Sequence, residues 1–486
     1  MPPIFEILHK DCAGRIARLE TKHGVIETPT IMPVVNPNIQ TIKPSELRKF
    51  GAQAIITNSY IIYRKPELRE RALREGLHSL IGFDGPIMTD SGSYQLSIYG
   101  EVEVNNKQIV EFQRDIGSDI GVPLDIPTPP DVSWTRAESE LEQTLAREKE
   151  ALELKKDMLL AAPVQGSSFP ILRERAAREL SQLDFDVYPL GAVVPLMESY
   201  RYCDLVDVIV AAKKGLSPAA PVHLFGAGHP MMFSLAVALG CDLFDSASYA
   251  LYAKDGRYMT VRGTYHIEEL QYLPCSCPVC SSHSVRELME SDKKEELLAS
   301  HNLYVTFEEI REVKQAIHEG NLWELVEYRS RGHPKLLSGL MHTLAKHSGW
   351  IEEIQPISRA TFFYSGPESA LRPEVIRHKN RLKNLNLKGK VLVKNHRLDN
   401  EDDFDWVLEF KPPFGPYPVE LKETYPLNAE VCDVPDHESL TVALQNLIEL
   451  MKLNPDCEFT IALDDFSGHP LMTEILLTAN VYAFSL

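Results

Sequence analysis

The feature that most restricts the fold is a unit that recurs eight times in the first half of the chain. Short, apolar, β-rich runs end in polar or glycine-containing turns: VIETPTIMPVV, AQAIITNSYII, GPIMTDSG, DIGVPLDIPT, LLAAPVQG, VYPLGAVVP, PVHLFGAG and CDLFDSAS. Charged segments of helical period lie between them, at residues 43–50, 64–75, 106–116, 136–160, 171–183, 199–214 and 230–239. Strands that lack polar alternation are buried on both faces, as in parallel sheets covered by helices. Eight strand-then-helix units within about 250 residues predict an α/β fold, a closed (β/α)8 TIM-like barrel. An open doubly wound sheet is the competing arrangement, but no G-x-G-x-x-G follows the first strand.

A barrel of this kind carries its chemistry at the C-terminal ends of the strands. Polar residues stand there repeatedly: Asn58, Asp90, Asp125, Gln165, His229 and Asp245. An unpaired carboxylate loses more on desolvation than packing returns, so an aspartate that ends a buried strand needs a reason. Asp90 and Asp245 end the third and eighth strands, where both can point into one mouth. Paired carboxylates, one a nucleophile and one an acid/base, are the arrangement for retaining chemistry at an anomeric carbon. Each is also followed by small polar residues and is placed to cap a helix instead. Asp125 sits in the proline-locked turn GVPLDIPTPP, which suits presentation to a ligand. With Gln165 it offers acceptors and donors that match a purine edge.

Cysteine use points to a metal. Three of the eight cysteines crowd into Cys275-x-Cys277-x-x-Cys280, stiffened by Pro274 and Pro278. This spacing suits tetrahedral Zn²⁺, which needs a fourth ligand. His283 and His301 are the candidates, and His301 is preferred because a distant ligand staples two segments. A three-thiolate site is closed and electron-rich, hence structural. Eight cysteines are too few for a disulfide scaffold in a 486-residue chain, and the other five are read as core or surface thiols.

The net charge of −19 argues against a nonspecific polyanion binder but leaves RNA open, since RNA contacts depend on shape, stacking and local basic stripes. Lys254, Arg257 and Arg262 form one basic group; Arg372, Arg377, Lys379, Arg381, Lys383, Lys388 and Lys390 form a second, read as a phosphate stripe. No apolar run is long enough for a membrane span and no signal peptide opens the chain, so a cytoplasmic protein with no membrane partner is expected. The pattern changes near residue 349. The expected domains are a catalytic barrel over 1–348 with its zinc-binding subdomain at about 270–305, then two small α+β C-terminal domains over 349–425 and 426–486.

Three segments resemble the tRNA-guanine transglycosylase family, in its archaeal archaeosine branch. TDSGSYQ at 89–95 resembles a TDSGGFQ-type motif, LFDSASYALYAKDGRYMT resembles the nucleophile segment, and CSCPVC followed by HNLYV resembles the zinc site. The resemblance implies exchange of guanine at position 15 of the tRNA D-loop for 7-cyano-7-deazaguanine (preQ0) without ATP. Asp245 would be the nucleophile that forms a covalent enzyme–tRNA intermediate, and Asp90 the general acid/base. The base pocket would comprise Ser91, Tyr94, Asp125, Gln165 and the backbone at Val193 and Val194, with Tyr94 stacked on the heterocycle. Cys275, Cys277, Cys280 and His301 would hold one structural Zn²⁺ per subunit. Ser93 and Tyr94 replace glycine and phenylalanine of many relatives.

The family also implies a homodimer. Full-length archaeal relatives carry a C-terminal RNA-binding PUA domain, for which this chain shows no counterpart; a separate PUA-domain protein, or the remaining C-terminal domains with a dimer, would then supply the tRNA grip. The alternatives to the transglycosylase are a noncatalytic tRNA-binding subunit of the same fold and a barrel hydrolase with zinc chemistry.

Overall fold

The computed structural model describes residues 4–93, 104–398, 401–463, 468–478 and 480–481. The chain forms two compact units, residues 1–339 and 340–486. The first is built on eight parallel strands: β4 Thr30–Val35, β5 Ile55–Asn58, β6 Ile87–Asp90, β7 Ile120–Gly121, β8 Leu159–Leu160, β9 Tyr188–Leu190, β10 Val222–Leu224 and β11 Leu243–Ser246. They are ordered β8-β7-β6-β5-β4-β11-β10-β9. Parallel bridges Ala161↔Val187 and Val164↔Leu190 join the two ends of that order and complete the barrel. Each apolar run of the sequence supplies one barrel strand, and the first, VIETPTIMPVV, also supplies most of β3 Gly24–Thr28 ahead of the barrel.

The helices differ from expectation in detail. The segment at 136–160 is a helix only over Trp134–Leu152, capped by Ser133, because Leu159–Leu160 belongs to the barrel. The segment at 64–75 is a helix from Pro66–Glu75, preceded by a separate turn Ser59–Arg64. Proline lacks the N–H that a continuous helix requires and instead starts the next one.

A three-stranded antiparallel meander, β1 Phe5–Asp11, β2 Gly14–Thr21 and β3 Gly24–Thr28, precedes the barrel and was not foreseen. Its Leu19 and Ile26 pack with the inward-facing Met32, Ile56, Met88, Ile120, Ala161, Val187 and Leu243. It fills the end where the strands begin: Glu27 and Gln53 exchange hydrogen bonds of 2.9 and 3.0 Å just ahead of β5. Nearby, Asp119 accepts four bonds, from the backbone N–H of His23 and Ile87 and from both imidazoles of His23 and His78. With that carboxylate fully occupied, the cluster clasps the meander to the barrel. The opposite, C-terminal end is left for chemistry.

After β11 come a hairpin, β12 Arg257–Thr260 and β13 Gly263–His266, a cysteine-bearing loop, and a long helix Lys294–Glu319. The second unit carries a five-stranded sheet in the order β16-β15-β14-β17-β18, from β14 Lys390–Lys394, β15 Trp406–Lys411, β16 Gly415–Pro418, β17 Glu458–Ala462 and β18 Asn480–Val481. Helix His437–Leu453 packs Leu444 and Leu447 against Val391, Val393, Leu408 and Phe459. This one sheet takes strands from both sides of Pro426. Among the described residues, no helix is long and apolar enough to cross a membrane.

Candidate active site

The first carboxylate stands where β6 ends. Asn58, at the matching position of β5, donates from Nδ2 to both Asp90 oxygens at 2.8 and 3.0 Å. Its Oδ1 accepts the Ile61 N–H at 2.8 Å, so one residue caps the next helix and holds the carboxylate. The Gly92 N–H donates to Asp90 Oδ1 at 2.7 Å. Gly92 must be glycine: its φ is +91°, and a Cβ would lie 2.5 Å from the Tyr60 Cβ. Burial pushes the Asp90 carboxyl up to about 7, against the Gly92 and Asn58 hydrogen bonds and with help from the negative charges of Asp245 and Asp125. A neutral amide and one backbone N–H do not offset the desolvation of an ionised carboxylate.

The second carboxylate ends β11. Asp245 is 9% exposed, and its Oδ1 accepts from the Gly226 N–H and from His223 Nε2, both at 2.8 Å. Among the described residues, Oδ2 has no hydrogen-bond partner. Asp90 and Asp245 end two strands of the same barrel, and the negative charge of Asp245 contributes to the rise at Asp90. Asp245 does not cap the helix that follows it, since Ala247 stands at that position; beyond Asp90, residues 94–103 lie outside the described residues.

Polar residues also follow β7 and β8. Gln165 Nε2 donates to Asp125 Oδ2 at 2.5 Å, and both side chains are buried. Burial raises the Asp125 carboxyl, against hydrogen bonds from Ser93 and Gln165. Ser91 Oγ lies 3.0 Å from Ser93 Oγ and from the Pro123 carbonyl. Arg173, wholly buried beneath, donates to the carbonyls of Val164 and Ser167 and thereby fixes the segment that carries Gln165. Burial lowers its guanidinium to about 9.

Val193 and Val194 follow β9, at the start of the short helix Val194–Glu198. A Cβ on Gly226 would meet Val194 Cγ2 at 2.4 Å, so this wall touches the loop that holds Asp245. Gly191 is equally constrained, since a Cβ there would fall 2.1 Å from Gln165 Nε2. Tyr94, expected to stack on the heterocycle, lies outside the described residues.

Sequence reasoning missed His223, Gly226, Gly191 and Arg173. A lone histidine inside the apolar run PVHLFGAG and glycines at strand ends were the available signals. Among the described residues His229 makes no hydrogen bond to the carboxylates: its Nδ1 accepts the Met231 N–H at the turn, and burial lowers its imidazole to about 4.

The cysteine loop forms a separate centre. One donor atom from each of Cys275, Cys277, Cys280 and His301 lies within 4.8 Å of the others. His301 Nδ1 is 3.4 Å from Cys277 Sγ and 3.3 Å from Cys280 Sγ. Its Nε2 donates to the Met259 carbonyl at 2.9 Å, which fixes the tautomer and turns the Nδ1 lone pair toward the thiols. Tyr258 stacks on the imidazole at 3.7 Å. His283 instead bonds the Val279 carbonyl. Three sulfurs and one nitrogen fit a tetrahedral thiophilic ion, and they couple the hairpin loop to the long helix.

The basic groups divide. Arg372 and Arg377 are buried in ion pairs with Glu374 and Glu352, so they leave the expected phosphate stripe. Lys379, Arg381, Lys383, Lys388 and Lys390 stay exposed, as do Lys254 and Arg262.

A family model described as queuine tRNA-ribosyltransferase matches residues 11–335. The chain is 62% identical over 482 residues to a tRNA-guanine(15) transglycosylase of Methanosarcina barkeri, covering 99% of this chain and 98% of the relative. A protein of the same name from Haloferax volcanii is 54% identical over 470 residues, covering 95% of this chain and 90% of the relative. For that of Methanothermobacter thermautotrophicus the identity is 51% over 444 residues, covering 87% of this chain and 67% of the relative. A family match that takes in the whole barrel and the cysteine loop, with relatives above half identity along most of the chain, means that this protein belongs to the queuine tRNA-ribosyltransferase family.

Proposed function

We propose that the protein is a tRNA-guanine(15) transglycosylase, a pentosyltransferase that replaces the guanine at position 15 of the tRNA D-loop with 7-cyano-7-deazaguanine in archaeosine biosynthesis. One observation carries this reading: two carboxylates share one mouth in different settings. Asp90 has a carboxyl near 7 that can hold or release a proton, and Asp245 has one oxygen anchored and one open.

In this account Asp245 Oδ2 attacks the ribose C1′. The C1′–N9 bond breaks, its electron pair passes to the guanine ring, and the Asp90 carboxyl proton neutralises the departing base. The product is a glycosyl ester of Asp245 with the tRNA. The incoming base then gives its N9 proton to the Asp90 carboxylate and attacks C1′, which returns Asp245 to its carboxylate form. Asp125 and Gln165 read the donor and acceptor edge of the base, and Ser91 and the backbone at Val193 and Val194 line its perimeter. Water must be kept out, since hydrolysis of the ester would leave an abasic tRNA. Exposing a D-loop base costs on the order of a few kcal/mol of stacking and pairing.

Cys275, Cys277, Cys280 and His301 would hold one Zn²⁺ as a structural crosslink, remote from the proton transfers. Exposed Lys254 and Arg262, close in sequence to Asp245, suit phosphate contact.

Metal-loaded protein incubated with unmodified archaeal tRNA and 7-cyano-7-deazaguanine tests the reading. Mass analysis of the digested nucleosides is expected to find the new base at the D-loop guanine. No mass shift with any cognate tRNA would overturn it.

A further inference from the structure

We infer that His223 is the positioning residue for the nucleophile: by holding Asp245 Oδ1 it commits Oδ2 to the attack and later helps the carboxylate leave the ester. The inference rests on the nucleophile reading above and adds a residue to it.

His223 lies at the centre of β10, paired to Pro189 of β9 and Leu243 of β11, and its side chain is wholly buried. Nε2 is 2.8 Å from Asp245 Oδ1, whereas Nδ1 is buried with no hydrogen-bond partner among the described residues. An ionised carboxylate oxygen can only accept, so Nε2 carries the proton of this contact and donates to Asp245 Oδ1. Phe225 packs edge-on against it, centroids 4.6 Å apart, and sets its plane.

A fully buried polar ring with one nitrogen left unsatisfied is an expensive way to fill a strand. Its other nitrogen explains the choice. Together with the Gly226 N–H it places two donors on a single oxygen and leaves the other oxygen free. Two hydrogen bonds fix the rotation of the carboxyl group and draw charge toward Oδ1. When the ester forms, Oδ1 becomes a carbonyl oxygen and a weaker acceptor. The donors thus favour the carboxylate over the ester, so the covalent adduct is kept from becoming a trap.

The test follows the adduct on denaturing gels, alongside exchange of isotopically labelled guanine into a tRNA transcript. His223→Leu is expected to lower turnover about 10- to 100-fold, the effect of one hydrogen bond to a charged group. The KM for tRNA should stay unchanged while the fraction of enzyme held as adduct rises. Gln places its amide nitrogen near the Nε2 position and should restore most of the turnover; Asn, whose amide falls short of Oδ1, should not. If the leucine variant does not fold, the glutamine and asparagine pair carries the comparison, with thermal melts reported for both. Wild-type adduct levels and turnover in folded His223→Leu, or equal loss in the glutamine and asparagine variants, would overturn the inference alone. No adduct in a wild-type enzyme that exchanges guanine would overturn the nucleophile reading, and the role of His223 with it.

Discussion

Asp90 in the barrel and Glu374 in the second unit are both carboxyl groups drawn out of bulk water, and their proton affinities move in opposite directions. Burial raises both. At Asp90 the carboxyl's partners among the described residues are the amide of Asn58 and the N–H of Gly92, and the carboxyl rises to about 7. At Glu374, which is 1% exposed, burial is outweighed by Arg372 and Arg359, with Tyr425 donating at 2.7 Å, and the carboxyl is held well below its ordinary range. A structural carboxylate is surrounded by opposite charge and fixed in one state. The barrel residue is surrounded by dipoles and neighbouring carboxylates, so two protonation states stay within reach near neutral pH.

The largest expected effect comes from removing the group with two states. Asp90→Asn should reduce guanine exchange by about 10²- to 10⁴-fold, the usual contribution of a positioned acid/base, with little loss of thermal stability. Retained activity would break the comparison. Glu374→Gln should do the reverse, costing about 3–5 kcal/mol of stability by removing the buried anion that Arg359 and Arg372 share, as urea unfolding would reveal. Because the folded carboxyl lies below its ordinary value of 4.5, its stabilisation is complete above that pH and drains away as pH falls toward the depressed value.

Metal removal sharpens the contrast between structural and chemical sites. Cys280→Ser or a chelator should lower the melting temperature together with metal content, whereas replacing Zn²⁺ by Co²⁺ at fixed fold should leave the exchange rate nearly unchanged.

The subtlest effect is on pH dependence. The first step needs Asp90 protonated, so kcat/KM for tRNA should fall about tenfold per pH unit above roughly 7. Asn58 favours the charged form of Asp90, so Asn58→Ala should raise the carboxyl further and move that limb upward. It should also cost about 1 kcal/mol, through the lost cap on the Ser59–Arg64 helix.

Much of this architecture was legible because parallel barrel strands advertise themselves as apolar runs ending in polar groups. Asp90, Asp125, Gln165 and Asp245 could be found from those ends alone, and the cysteine cluster from spacing. The meander at Phe5–Asp11 and Gly14–Thr21 was hidden because its first strand, FEILHKD, is largely exposed, mixing apolar and charged residues without a buried face to mark it. Arg372 and Arg377 look like surface charge in sequence; only the fold shows the glutamates that bury them. His223 escaped notice because its partner is 22 residues away and adjacent only through the sheet.

The most direct test is incorporation of labelled guanine into unmodified tRNA by the wild type and by Asp245→Asn, each shown to be folded and metal-loaded. The account predicts steady incorporation by the wild type and a loss of at least about 10³-fold in the variant, as expected when a covalent nucleophile is removed. Undiminished incorporation by Asp245→Asn would contradict it.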